Sequence, residues 1–275
     1  MEGAGGLVTT LSGHTLEHET YLRKVKRRKH LVLAAQIALA VSFFVLWEVL
    51  ANARIIDAFI FSQPSRIISG AQRLIATGQL WQHVGATLGM TLLGFALSSI
   101  MGIAIAIALW WNEFLRKVLE PYLVMFNSMP KTALAPVIIV LFGTNFRSVL
   151  VTAILTSIVV TIMNMLQAFL EVNREKTKLI YTLGGTRIQA LTKVIIPASV
   201  PSMFNTLRIN IGLSFIGVVV GEFLVANVGL GFLIIYGSQI FRMDWVMLSI
   251  MLLMLMAAGL YRAVAWFEKL LGFKS

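Results

Sequence analysis

Few side chains in this sequence could do chemistry, and the notable ones lie inside apolar runs. Lys131 stands near the middle of the run Pro121–Phe142, about 11 residues or ~16 Å from either end. A lysine at that depth costs at least ~3 kcal/mol unless it is paired or hydrated. Its ammonium either is a paired structural cation or faces a water-filled pathway, where it would hold a polar or anionic solute. The side chain is too short to reach either interface easily, which favours the pathway. Asn127 lies one turn earlier on the same face. Pro130 and Pro136 flank the lysine and free backbone carbonyls, which is tolerable where they line a cavity or are covered by protein. Glu222, after Gly217 and Gly221, either meets the outer interface or faces the same pathway. The two glycines, spaced i, i+4, offer a close-packing surface for another helix, most simply the same helix of a second copy.

Other chemistries find little support. There is no cysteine, so disulfides, Fe–S clusters and thiolate zinc sites are excluded. His14 and His18 have helical spacing but sit in a polar stretch with no third ligand, and read as solvated side chains. The apolar runs hold no paired carboxylates and no Ser/His constellation, which argues against an intramembrane enzyme.

The elements that must position these residues are membrane spans. Of 275 residues, 58% are hydrophobic and 13% charged, against about 25% charged in a soluble domain, and mean hydropathy is +0.84. Apolar segments near 31–51, 84–110, 121–142, 149–170, 203–225 and 245–266 approach or exceed the ~20 residues that cross a ~30 Å core. With the N-terminus inside, 17 lysines and arginines fall on the inner side and 5 on the outer, leaving Lys131 within a span. That bias predicts six helices with both termini cytoplasmic. Trp47, Trp81, Trp110, Trp111, Trp245 and Trp266 all fall near span ends, where indoles favour the interface. The net charge of +11 is interleaved between spans, so it reads as topology rather than as a nucleic-acid face.

Residues 1–30 form a polar tail ending in the basic run Arg23–Lys29, suited to anionic headgroups. The apolar run after it is longer than a signal peptide's core, so it is expected to stay as a first span, and residues 31–275 form one membrane domain. Between the first two spans, apolar residues at 67, 68, 71, 74 and 75 predict a helix on the outer leaflet.

The loop 171–200 is longer than a reversal needs. Gly184 and Gly185 break it, and Thr186 with Gln189 predicts a capping box that starts a second helix. Ile188, Leu191 and Ile195 should share that helix's apolar face, with Arg187 and Lys193 elsewhere, and Pro197 and Pro201 should stop it before the fifth span. Leu179, Ile180 and Leu183 cluster in the first helix among Arg174, Lys176 and Lys178. Such a pair either rests on headgroups or docks against a protein.

Gly184, nine residues, then Val194-Ile195-Ile196-Pro197 resembles the cytoplasmic loop of ABC-importer permeases. Trp47-Glu48, Pro64-Ser65, Thr87-Leu88, Gly94-Phe95, Phe142-Gly143, Asn164, Leu207-Arg208, Glu222 and Gly229-Leu230-Gly231 are similar to the nitrate/sulfonate/taurine-type branch. The resemblance covers roughly Trp47 to Trp266. It implies an all-α integral membrane protein of six transmembrane helices, with the type I importer permease (MetI-like) fold and a cytoplasmic coupling helix. It further implies Lys178, Leu179, Ile180, Leu183, Gly184, Gly185 and Arg187 at an ATPase groove, and Glu222 toward the outer end of a translocation pathway for a small solute, along which their own chemistry is expected to place Asn127, Pro130 and Lys131. The implied partners are ABC ATPase subunits carrying ATP and Mg, a second permease copy, an extracytoplasmic solute-binding protein and the bilayer of a prokaryotic plasma (inner) membrane. No cofactor is expected on this chain. It departs from the family's Glu-Ala-Ala at Lys178-Leu179-Ile180, from a common arginine at Met90, and from glycines at Ala168 and Thr206.

No Gly-x-x-x-x-Gly-Lys-Ser/Thr phosphate loop occurs, so an ATP-driven process needs the nucleotide site on another polypeptide. The rival class is a self-sufficient secondary carrier, for which Glu48 and Glu222 are the only intramembrane acids of note.

Overall fold

In the computed structural model, residues 5–270 are described, and the chain divides into two compact units, Met1–Arg66 and Ile67–Ser275. In the first unit, α1 (Gly5–Asn52) continues as helix straight through the expected boundary at residue 30. The side chains of His14 and His18 fall outside those described. The short α2 (Ala58–Phe61) is capped by the Asp57 carboxylate, which accepts from the Phe59 amide at 2.8 Å. Glu48 accepts from the Ser65 amide at 3.1 Å in the first turn of α3 (Pro64–Ala76), where a carboxylate offsets unpaired N–H groups.

Every regular element among the second unit's described residues is helical. Its elements are α4 (Gln79–Trp111), α5 (Glu113–Ser128), a 3₁₀ turn (Lys131–Leu134), α6 (Ala135–Phe142), α7 (Phe146–Leu170), α8 (Arg174–Thr182), α9 (Arg187–Ala190), a π turn (Leu191–Ile195), α10 (Ile196–Val225), α11 (Leu230–Gln239) and α12 (Met243–Leu270). Asparagine side chains start three of them: Asn112, Asn145 and Asn173 each accept from a first-turn amide, as N-caps do.

Five helical stretches among the described residues are long and apolar enough to cross a membrane. The third expected span is the exception, because it is broken. Met129 is extended (φ −73°, ψ 135°), as a residue before proline prefers, and α5 ends there. Its 16 residues reach only ~24 Å, and the chain resumes as a 3₁₀ turn and α6.

The core is a bundle of α4, α7 and α10. Gly217 and Gly221 do not await a second copy; they face α7 of the same chain. A Cβ on Gly217 would lie 2.7 Å from the Ala153 Cα, and one on Gly221 2.9 Å from the Val149 Cα. Gly102 makes the matching approach from α4 onto Thr161. Such closeness lets polar side chains meet across three helices. Asn210 donates to Ser99 Oγ at 2.6 Å and accepts from Ser98 at 3.3 Å, while Ser214 donates to Ser157 at 3.1 Å. Asn210 thereby bridges α10 to α4. A partly buried ion pair, Arg208 with Glu268, joins α10 to α12.

The α3 helix forms as expected, although Ile68 and Ile75 stay exposed while Ile67, Gly70 and Leu74 are buried. Asp244, at the start of α12, is held by Arg73 at 3.0 Å and Arg242 at 2.9 Å, and Arg242 lies over the Trp245 ring at 4.5 Å.

Candidate functional site

Three places carry the residues singled out from the sequence. The first is the helix–glycine–helix segment. The Gly185 amide donates to the Ile180 carbonyl at 2.8 Å and the Gly184 amide to Tyr181 at 3.0 Å, the paired bonds of a Schellman motif that needs left-handed backbone. Gly184 supplies it with φ +77°. The predicted capping box is present: the Gln189 amide donates to Thr186 Oγ1, and the Thr186 amide to Gln189 Oε1 at 2.7 Å.

Beyond the box the expectation fails in two ways. Ile188 is 61% exposed, whereas Leu191 and Ile195 are buried against Leu109, Met165 and Phe169, so the three do not share one face. Pro197 and Pro201 do not end the helix either; both lie within α10. The π turn absorbs the conflict. The Ile196 amide donates five residues back, to Leu191, so the register shifts ahead of a proline that has no N–H to give. The segment therefore runs into α10 as continuous helix. Arg187 is anchored as well, donating to the Trp110 carbonyl at 3.3 Å and lying 4.9 Å from the Trp111 ring centroid. Its cation sits at the carbonyl end of α4, where positive charge is favourable. Lys178, Leu179, Leu183 and Gly184 stay exposed, and Ile180 is half-buried.

The second place is the break in the third expected span. The Lys131 ammonium donates to the Asn127 carbonyl at 2.6 Å. That carbonyl is left without its backbone donor where α5 ends, and the lysine four residues on replaces it. One of three ammonium protons is so used, and Lys131 is half-buried. Sequence spacing had placed Asn127 and Lys131 on one face, and they meet through the Asn127 carbonyl.

The third place surrounds Glu222, which is 2% exposed. Thr87 Oγ1 donates to its Oε1 at 2.8 Å, and the Gly231 amide donates to Oε2 at 2.8 Å. The Leu230 amide donates in turn to Thr87 at 2.8 Å, and the Gly229 amide to His83 Nδ1 at 3.0 Å. A side chain on Gly229 would overlap the Glu222 carboxyl, and one on Gly231 would lie 2.8 Å from its Cβ. The first amides of α11 are thus held by a carboxylate from α10, and by a hydroxyl and an imidazole from α4. His83 stacks on Phe232, which stacks on Tyr236 and so on to Trp245. Glu222 also borders a cavity of about 320 Å³ lined by Met90, Asn145 and Asn227. His83 and Thr87 carry half of this clasp yet gave no sequence signal beyond the Thr87-Leu88 pair. No ion pair joins Glu222 to a cation among the described residues, and the same residues contain no metal-ligating cluster.

Comparison with known proteins adds the family. Residues 98–272 match the model of the binding-protein-dependent transport system inner membrane component. The formylaminopyrimidine transport permease of Halalkalibacterium halodurans is 35% identical over 68% of this chain and 74% of its own length. The riboflavin transport system permease of Chloroflexus aurantiacus is 30% identical over 82% and 85%. The taurine transport system permease of Escherichia coli is 25% identical over 82% and 85%. Among solved structures, a methionine ABC transporter in an inward-facing conformation aligns with a TM-score of 0.55 at 19% identity, over 69% of this chain and 97% of that one. An amino acid ABC transporter crystallised with histidines gives 0.57 at 19%, over 72% and 97%. These two share the fold, the MetI-like arrangement expected from the sequence. The chain belongs to the inner-membrane components of binding-protein-dependent transport systems and is a multi-pass permease subunit of an ABC importer.

Proposed function

We propose that two copies of this chain form the translocation pathway of an ATP-driven importer that works by alternating access. ATPase subunits carrying ATP and Mg dock on the 171–200 segment from the cytoplasm, both termini lie on that side, and a solute-binding protein delivers from outside. The observation that carries this reading is the exposed helix–glycine–helix segment, rigidly capped and running as unbroken helix into α10. Force applied at the segment is transmitted along that helix to Glu222 and the α11 turn. Differential binding of the ATPase to the two arrangements moves the equilibrium between them.

The broken third span lines the pathway at Asn127, Pro130 and Lys131, where two ammonium protons remain for a passing solute. Glu222 closes the outer end by holding α11 in place. The higher identity to the formylaminopyrimidine and riboflavin permeases than to the taurine permease supports a small nitrogen heterocycle as solute rather than a sulfonate.

The test is reconstitution of the permease with its co-purifying ATPase and binding protein in liposomes. We expect ATP-dependent uptake of formylaminopyrimidine and not of taurine. Loss of the ATPase is expected on Gly184→Trp, because φ +77° strains any residue with a Cβ. Uptake by the permease alone, without ATP, would overturn the proposal in favour of a secondary carrier.

A further inference from the structure

Resting on the docking reading above, we infer that the ATPase surface receiving this segment is an apolar groove rimmed by carboxylates, one of which faces Lys178. Leu179 on α8 and Leu183, which caps its end, are 59% and 76% exposed, and Ile188 beyond the glycines is 61% exposed. Leu179 and Leu183 lie outside every stretch long and apolar enough to cross a membrane, and large apolar side chains exposed there mark a binding face. Its charge is positive. Lys176 and Lys178 are exposed and join no ion pair among the described residues.

Arg187 is not part of this free charge, since Trp110 and Trp111 hold it. Glu175, the one acid of α8, occupies the first turn, where it offsets the helix dipole. A partner meeting Lys178 beside Leu179 must therefore supply negative charge around an apolar floor. The Schellman turn, the capping box and the Arg187 anchor also hold the segment in one shape before it binds. Such preorganisation suits a protein groove and is wasted on a fluid headgroup layer.

The experiment uses the full permease in nanodiscs of zwitterionic lipid and, separately, of lipid containing an anionic fraction, with the ATPase that co-purifies with it and binding measured at low and high salt. Lys178→Glu should weaken binding about tenfold at low salt and less at high salt, and Lys178→Ala should fall between it and wild type. Reversing one groove Asp or Glu to Lys should restore binding of the Lys178→Glu permease. Leu183→Asp tests docking itself and should abolish binding at both salt concentrations. If Lys178→Glu binds like wild type while Leu183→Asp does not, the segment docks but the acidic rim is refuted. If both bind like wild type, the docking reading falls with it. A Lys178 effect confined to nanodiscs containing anionic lipid overturns the inference in favour of headgroups.

Discussion

Between α4, α7 and α10 the serines and Asn210 turn inward onto one another, as Glu222 does onto Thr87, whereas on the α8–α9 segment Leu179, Leu183 and Ile188 turn outward. Both regions use glycines, but for different ends. In the bundle, Gly217 and Gly221 bring backbones close enough for short polar side chains to span the gap. In the segment, Gly184 reverses the chain and leaves apolar surface behind. Inside a membrane, apolar surface is already at home, so unmet hydrogen bonds set the cost. Outside it, backbone groups find water, and exposed apolar area carries the drive to associate. The bundle's polar side chains are accordingly met within one chain, whereas the segment's apolar side chains stay open.

Substitutions can break this contrast. The largest expected effect on stability is from Gly217→Leu, whose side chain would press on the α7 backbone. We expect a loss of about 3 kcal/mol, read as reduced thermal stability in detergent, with loss of ATPase binding only as a consequence. Glu222→Ala comes next. It strips the acceptor from Thr87 and the Gly231 amide at a cost of about 2 kcal/mol, and hydrogen exchange at the start of α11 should rise. Glu222→Gln, which keeps an acceptor oxygen, should lose less; equal losses would mean that the negative charge matters more than the hydrogen bonds.

Arg187→Ala should cost about 1 kcal/mol or less, since the ring contacts are part-exposed, and should loosen α9 without disturbing α10. Smallest in stability is Leu183→Asp, within about 0.5 kcal/mol of wild type for an exposed position, yet it should remove ATPase binding. A thermal-melt series paired with co-purification therefore sorts the residues into two groups. A variant that lost both equally from the segment side would sink the contrast.

Much of this organisation could be read without coordinates. Apolar run lengths marked the spans, since hydrocarbon thickness sets a minimum, and local spacing was enough for the Thr186–Gln189 capping box and the Gly184 turn, because caps are made by near neighbours. The flanking prolines foretold trouble in the third span. They did not foretell that the Lys131 ammonium would replace the missing donor at the Asn127 carbonyl.

Distance along the chain hid the rest. The His83–Thr87–Glu222–Gly231 clasp joins residues 135 positions apart, and no periodicity connects them. Gly217 and Gly221 advertised close packing without naming the neighbour, because a glycine face fits any small-residue helix, and only the packed bundle shows it to be α7. Pro197 and Pro201 were read locally as stops, whereas burial of Leu191 and Ile195 against α4 and α7 stabilises a π turn that carries the helix past them. Composition and short-range spacing thus determined the membrane class, every span but the broken third, and the caps, which depend on length and on neighbouring residues. Tertiary structure alone decided which faces are closed and which stay open, because that depends on what each helix meets.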